Sequence, residues 1–278
     1  MFAYRHLFHA GGFADVFKHA LLALVPAALG RKEAAWFYLD THAGLGVYDL
    51  DHPWAQKNAE HLGGIALVWR RPDAPEAIRP YLGMLDAMNP AGSLRWYPGS
   101  PEIVRRLRRP GDRMVLVEHN RDDQAALAAH FAGERKVSVI AGDAAAALEA
   151  HLPPRERRGF ALIDPPFDHP GELDRVVRMF REFQRRWASG MLLVWYPLLD
   201  PAAMSRFERR IADLGVRKIL QLEIRLGEAT RPGRLSGCGL LVLNPAFGFE
   251  STARPLLDWL AGVLSPAGTA RVRWLVPE

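Results

Sequence analysis

Seven short apolar runs of β-rich composition recur along this chain, with helical patterns between most of them. They lie at Trp36 to Asp40, Met114 to Glu118, Val137 to Ile140, Phe160 to Ile163, Met191 to Trp195, Lys218 to Arg225 and Gly239 to Leu243. Near-continuous hydrophobicity means both faces of each strand need a cover, which is the situation of a parallel sheet between helices. Helical patterns at Asp122 to Phe131, Ala144 to His151, Glu172 to Trp187 and Ala202 to Leu214 supply it. The chain is therefore expected to be α/β, built from βα units around a mostly parallel seven-stranded sheet.

Two segments break the alternation. Residues 49–98 separate the first two strands with a helix-rich, Pro-punctuated stretch, far longer than the dozen or so residues a βαβ crossover needs. They are expected to form a helical subdomain inserted into a single domain spanning residues 1–278. At the other end, the two late strands are followed by an apolar helix and Arg271 to Val276, a tail suited to an antiparallel edge.

Composition narrows the setting. The single cysteine, Cys238, excludes an intrachain disulfide framework and a Cys-rich zinc site. No apolar run reaches the length of a bilayer span, since Ala20 to Leu29 contains Pro26 and follows Lys18 and His19. A cytoplasmic protein without a membrane partner is expected. The net charge of +5 suits a nucleic-acid partner, and equally an arginine-rich compositional bias.

Four strand ends carry the polar chemistry. Asp40-Thr41-His42-Ala43-Gly44-Leu45-Gly46 ends the first strand, and its glycines let backbone approach a ligand beyond the strand's carboxyl end. It lacks the third glycine of the dinucleotide fingerprint, which disfavours a nicotinamide or flavin cofactor. Glu118 ends the second strand, where a carboxylate can accept hydrogen bonds from ribose hydroxyls. Asp143, before Ala144, suits a helix N-cap and equally an acceptor for an adenine amine. Asp164-Pro165-Pro166-Phe167 follows the fourth strand and is the most informative segment. An aromatic amine is a poor nucleophile because its lone pair is delocalised into the ring. A carboxylate and a carbonyl at the proline turn can accept hydrogen bonds from its two protons and favour a tetrahedral nitrogen. The prolines fix the backbone, and the aromatic ring offers a stacking surface to a base that is flipped out or single-stranded.

The amino-terminal Tyr4-Arg5-His6, His9-Ala10-Gly11 and the following Asp15, Lys18 and His19 combine aromatic, basic and glycine residues in one stretch. His6 and His9 have no third ligand at a recognisable spacing, so no metal is expected.

Together these segments resemble the RlmJ family, the bacterial 23S ribosomal RNA adenine-N6 methyltransferases. The likeness runs through Tyr4-Arg5-His6, His9-Ala10-Gly11, Leu39 to Gly44, Tyr97-Pro98-Gly99-Ser100-Pro101, Asp164 to Phe167, Trp195-Tyr196-Pro197, Pro266 to Thr269 and Trp274 to Glu278. The resemblance implies a Rossmann-like class I methyltransferase fold and S-adenosylmethionine as cofactor. It implies His19, His42, Ser100, Glu118, Asp143, Ala144 and Asp164 at the cofactor, and Asp164, Pro165, Pro166 and Phe167 as the catalytic segment. It implies Tyr4 and Lys18 at the RNA, with 23S ribosomal RNA, naked or in an early large-subunit precursor, as partner of a monomer. A Tyr is expected at position 167; Phe keeps the stacking surface and loses a hydroxyl. The alternatives are methylation of a guanine N2 amine in ribosomal RNA or of adenine in DNA, and a catalytically silent RNA-binding protein.

Overall fold

Helix α1 (Phe13–Gly30) opens the chain and leads into β1 (Phe37–Asp40). The computed structural model describes residues 5–227 and 235–278. After β1 come β2 (Val47–Asp49), α2 (Pro53–Asn58), α3 (Ile65–Val68), α4 (Arg79–Met88), β3 (Trp96–Pro98) and α5 (Ser100–Leu107). Regular alternation then sets in with β4 (Arg113–Glu118), α6 (Arg121–His130), β5 (Val137–Ala141), α7 (Ala144–His151), β6 (Gly159–Ile163), α8 (Glu172–Arg186), β7 (Met191–Pro197) and α9 (Pro201–Ala212). The chain closes with β8 (Ile219–Arg225), β9 (Gly237–Leu243), α10 (Phe249–Leu264) and β10 (Thr269–Val276).

The sheet has eight strands among the described residues, in the order β10-β8-β9-β7-β6-β1-β4-β5. The seven expected strands are all present, and the eighth is the carboxyl-terminal tail: β10 pairs antiparallel with β8 at the edge. From β5 to β7 the pairings are parallel, and β9 enters antiparallel between β7 and β8. Strands β1 and β6 are buried along their whole length, as their unbroken apolar composition requires. One face is covered by a cluster containing Phe17, Leu21, Leu127 and Leu257, the other by one containing Leu148, Val176, Phe180 and Phe207.

The segment 49–98 adds no strand to this sheet. Its strands β2 and β3 pair only with each other. Ile65, Ile78, Tyr81 and Leu85 from it join the same apolar cluster as Phe17 and Tyr38, so it packs onto the α1 face.

Helix α1 differs from expectation. At 18 residues it is long and apolar enough to cross a bilayer, because the helix continues through Pro26. Here it is a core helix: Val16, Phe17, Leu21, Leu22 and Val25 are fully buried, and Asp15, Lys18 and His19 are buried with them.

Strand β6 depends on one glycine at its start. Gly159 has φ 139°, and a Cβ there would lie 1.9 Å from the Phe37 carbonyl oxygen of β1. Gly159→Ala is expected to destabilise the fold by about 3 kcal/mol or more, from strain and overpacking combined. Urea unfolding measures this; a loss under about 1 kcal/mol would show that β1 and β6 can separate to admit the methyl group.

Candidate active site

Strand order reverses direction between β1 and β6, and a crevice opens beyond the carboxyl ends of parallel strands at such a switch point. Asp40 and Leu162 are register partners there, so the glycine turn and the Asp164 segment emerge side by side. The crevice is a cleft of about 1640 Å³. His19, His42, Ser100, Glu118, Asp143, Ala144 and the whole of Asp164, Pro165, Pro166 and Phe167 line it, as does Lys18. Tyr4 lies outside the described residues.

The β1 turn is held by its neighbours. The Gly44 amide donates to Glu118 Oε2 (2.8 Å) and the Asn120 amide to Oε1 (2.7 Å). Glu118 therefore clamps the turn while each oxygen keeps acceptor capacity. The Asp164 amide donates to His42 Nδ1 (3.3 Å), which requires an unprotonated nitrogen. Burial, with the nearby charge of Arg175, pushes His42 down to about 3, so the ring is neutral. Asp143 caps α7, accepting from the Ala145 and Ala146 amides at 2.8 and 3.1 Å, and also binds Arg175 (2.5 Å). Its dual reading as cap and acceptor thus resolves first as a cap.

Helix α1 supplies the floor. Lys18 Nζ lies 2.6 Å from Asp164 Oδ2 and 3.0 Å from Asp15 Oδ1. Asp15 also contacts His6 Nε2 (3.0 Å) and accepts from the Gly11 amide (3.0 Å). Burial opposes charge on both Asp15 and Lys18, yet the opposite charges overcome it. Asp15 is held well below the usual carboxylate range and Lys18 well above the usual amine range. Lys18, expected at the RNA, lines the cleft but is 5% exposed, with its ammonium engaged by Asp15 and Asp164. His19 is sealed beneath, its Nδ1 2.8 Å from the Tyr97 hydroxyl, which in turn meets the Tyr81 hydroxyl (2.9 Å). Burial, reinforced by Lys18, keeps His19 neutral.

At the other end, Phe167 occupies the left-handed backbone region at φ 54°, a strained conformation for an aromatic residue. Its ring meets Trp195 edge-on with centroids 5.6 Å apart. Over the opposite rim, Arg5 ties the amino-terminal segment to the start of α6 through Asn120, Asp122 and Asp123.

The family model described as RsmJ, Ribosomal RNA large subunit methyltransferase D, RlmJ, matches residues 33–276. This chain belongs to the RlmJ family. Two curated relatives are named Ribosomal RNA large subunit methyltransferase J. The one from Escherichia coli K12 is 39% identical and the one from Haemophilus influenzae 37%, each over 281 residues covering 100% of both chains. A crystal structure of protein LPL1258 from Legionella pneumophila is 30% identical, covers 96% of this chain and 98% of its own, and superposes with a TM-score of 0.89.

The donor set fits the cofactor of an RlmJ family member. Glu118 and Asp143 line the cleft with carboxylate oxygens able to accept from hydroxyl and amine donors. Among the described residues no group of three or more His, Cys, Asp or Glu side chains is arranged to hold a metal ion.

Three contributors went unassigned at the level of sequence. Asp15 sits in the helix as an ordinary first-turn acid, and Trp195 reads as a strand residue. Asp40 stands in the quoted turn, yet its role needs the fold. It is fully buried and accepts from the Tyr38 and Ser100 hydroxyls (2.7 Å each) and from the His42 amide (3.2 Å). Ser100 is thus engaged with Asp40 while lining the cleft.

Burial raises Asp40 to about 6 against those hydrogen bonds. A carboxyl raised on folding contributes stability that is full below its ordinary value near 4 and is lost as pH rises through about 6. Asp40→Asn keeps an acceptor and cannot ionise. Relative to the wild type it is expected to gain about 2 kcal/mol between pH 4 and pH 7. Urea unfolding of both chains at the two pH values checks this, and parallel pH dependences would contradict it.

Proposed function

We propose that this chain transfers a methyl group from S-adenosylmethionine to the N6 amine of a specific adenine in 23S ribosomal RNA. The observation that carries the reading is the Asp164 carboxylate, anchored by Lys18 through one oxygen, with Phe167 displayed beside it at the switch point. The family and the names of its relatives support a large-subunit ribosomal RNA substrate.

In this reading S-adenosylmethionine supplies an electrophilic methyl carried on sulfur. Glu118, Asp143 and Ala144 hold it, with His42 and Ser100 shaping the wall and His19 the base of the pocket. Lys18 occupies Asp164 Oδ2, which leaves Oδ1 to accept from the base amine. A carbonyl of the proline segment accepts the amine's second proton. The nitrogen's lone pair would then lie along the line of transfer; the new N–C bond would replace the S–C bond, whose electron pair stays on the departing thioether sulfur, and Asp164 would accept the proton that the nitrogen loses. Phe167 stacks on the base, and the prolines keep competing amides out of reach. Positioning supplies most of the acceleration. Lys18 serves as a positioning residue for Asp164 rather than as an RNA contact. Tyr4, outside the described residues, is assigned to the RNA by the family resemblance.

The same reading treats the chain as one methyltransferase domain with an inserted helical subdomain at 49–98, supported by the apolar cluster they share. It takes the protein to be a cytoplasmic monomer that meets its RNA naked or in an early large-subunit precursor.

Asp164→Ala is expected to lower kcat by about a hundredfold or more while cofactor affinity changes little. Single-turnover methylation of a large-subunit ribosomal RNA transcript, beside calorimetric titration of the cofactor, separates the two. An unchanged rate would remove Asp164 from the chemistry. Faster transfer to DNA than to the transcript would remove the RNA.

A further inference from the structure

Beyond Phe167 the cleft opens between the first turn of α8 and the exposed side of α9, where Arg206 and Arg210 stand on its wall. Arg210 is paired with Asp174, which joins the two helices along their exposed faces. Arg178 and Arg181 follow Asp174 by four and seven residues, so they continue along the same side of α8. Arg206 precedes Arg210 by four and extends that side of α9 toward the cleft.

Charge distinguishes this surface from the inserted segment. Residues 172–212 carry eight arginines against five carboxylates, whereas residues 49–98 carry five lysines and arginines against six. The arginines of the inserted segment are also committed: Arg70 to Asp86, Arg71 to Asp73, Arg95 to Asp49. On the α8–α9 face the committed groups are the carboxylates. Asp174 is taken by Arg210, Glu182 by Arg185 and Arg186, and Glu208 by Arg273. Arg178, Arg181 and Arg206 are exposed and make no hydrogen bond or ion pair among the described residues.

We propose that the joined faces of α8 and α9, through Arg178, Arg181 and Arg206, hold the phosphate backbone of the RNA that flanks the target base. The proposal rests on the reading of the substrate as RNA. Free guanidinium groups can engage phosphates without first breaking an ion pair, and their planar fork matches phosphate oxygens two at a time. The face adjoins the base-binding end of the cleft, so a strand with one base turned in toward Phe167 continues directly over it. Arg31 and Lys32, also exposed, stand between α1 and β1, at the amino end of the sheet and away from the cleft.

The test is a salt titration of binding to an unmodified large-subunit ribosomal RNA transcript. It compares the wild type, the triple variant Arg178→Gln, Arg181→Gln, Arg206→Gln, and a control carrying Arg31→Gln and Lys32→Gln. The triple variant is expected to bind about tenfold or more weakly near 0.1 M salt. The slope of log affinity against log salt is expected to fall by about 2, as for three lost single-strand phosphate contacts. Its cofactor affinity and melting temperature should match the wild type, and the control should bind RNA normally. Equal affinity and slope in the triple variant and the wild type would overturn the proposal alone. Weaker binding with an unchanged slope would also overturn it, because the lost contacts would not be to phosphates. A wild type that does not bind the transcript would overturn it together with the RNA reading.

Discussion

Lys18 is a buried ammonium held between two carboxylates, one from its own helix and one from the end of β6. A charge taken out of water must be paired, and removing one partner of such a group commonly costs about 3–5 kcal/mol. Asp15 satisfies this need one turn earlier on α1 and is itself fixed by His6 and the Gly11 amide. Asp164 satisfies it from the end of β6. The amino-terminal turn, the first helix and the end of β6 are therefore one electrostatic unit. The same contacts that keep the charge tolerable hold one oxygen of Asp164, a residue that lines the cleft.

The sheet order explains why this unit lies beside the rest of the site. Because β1 and β6 are direct neighbours, the glycine turn and the proline segment share one crevice although more than a hundred residues separate them. Glu118 reaches the turn from β4 and so ties a third strand end to it. Charge is then divided by depth. Carboxylates line the inner cleft, and arginines gather on the α8–α9 face outside, where the proposal places the RNA phosphates.

Most of the sheet was legible because strands buried on both faces leave an unmistakable apolar signature, and β1, β4, β6 and β7 differ from their sequence-read bounds by two residues at most. The antiparallel pair of β2 and β3 was not legible: each strand has three residues, too few for a period to register. Helix α1 misled for a physical reason, since Pro26 sits inside a helix that packing sustains. At the site, the strand-tip acids were visible as Glu118, Asp143 and Asp164, whereas their partners were not. Nothing in the spacing of Lys18 and Asp164, 146 positions apart, announces a 2.6 Å contact. Asp40 was seen as the start of a turn, but its burial against Tyr38 and Ser100 is a property of the folded chain alone.

The central claim, that the Asp164 segment presents an adenine amine of ribosomal RNA to the methyl donor, is tested most directly by the identity of the product. Unmodified large-subunit ribosomal RNA is incubated with the protein and methyl-labelled S-adenosylmethionine, digested to nucleosides and separated. The account predicts that the label elutes as N6-methyladenosine. Label in N2-methylguanosine would keep the cleft and its carboxylate but contradict the base, and label absent from every nucleoside would contradict the account as a whole.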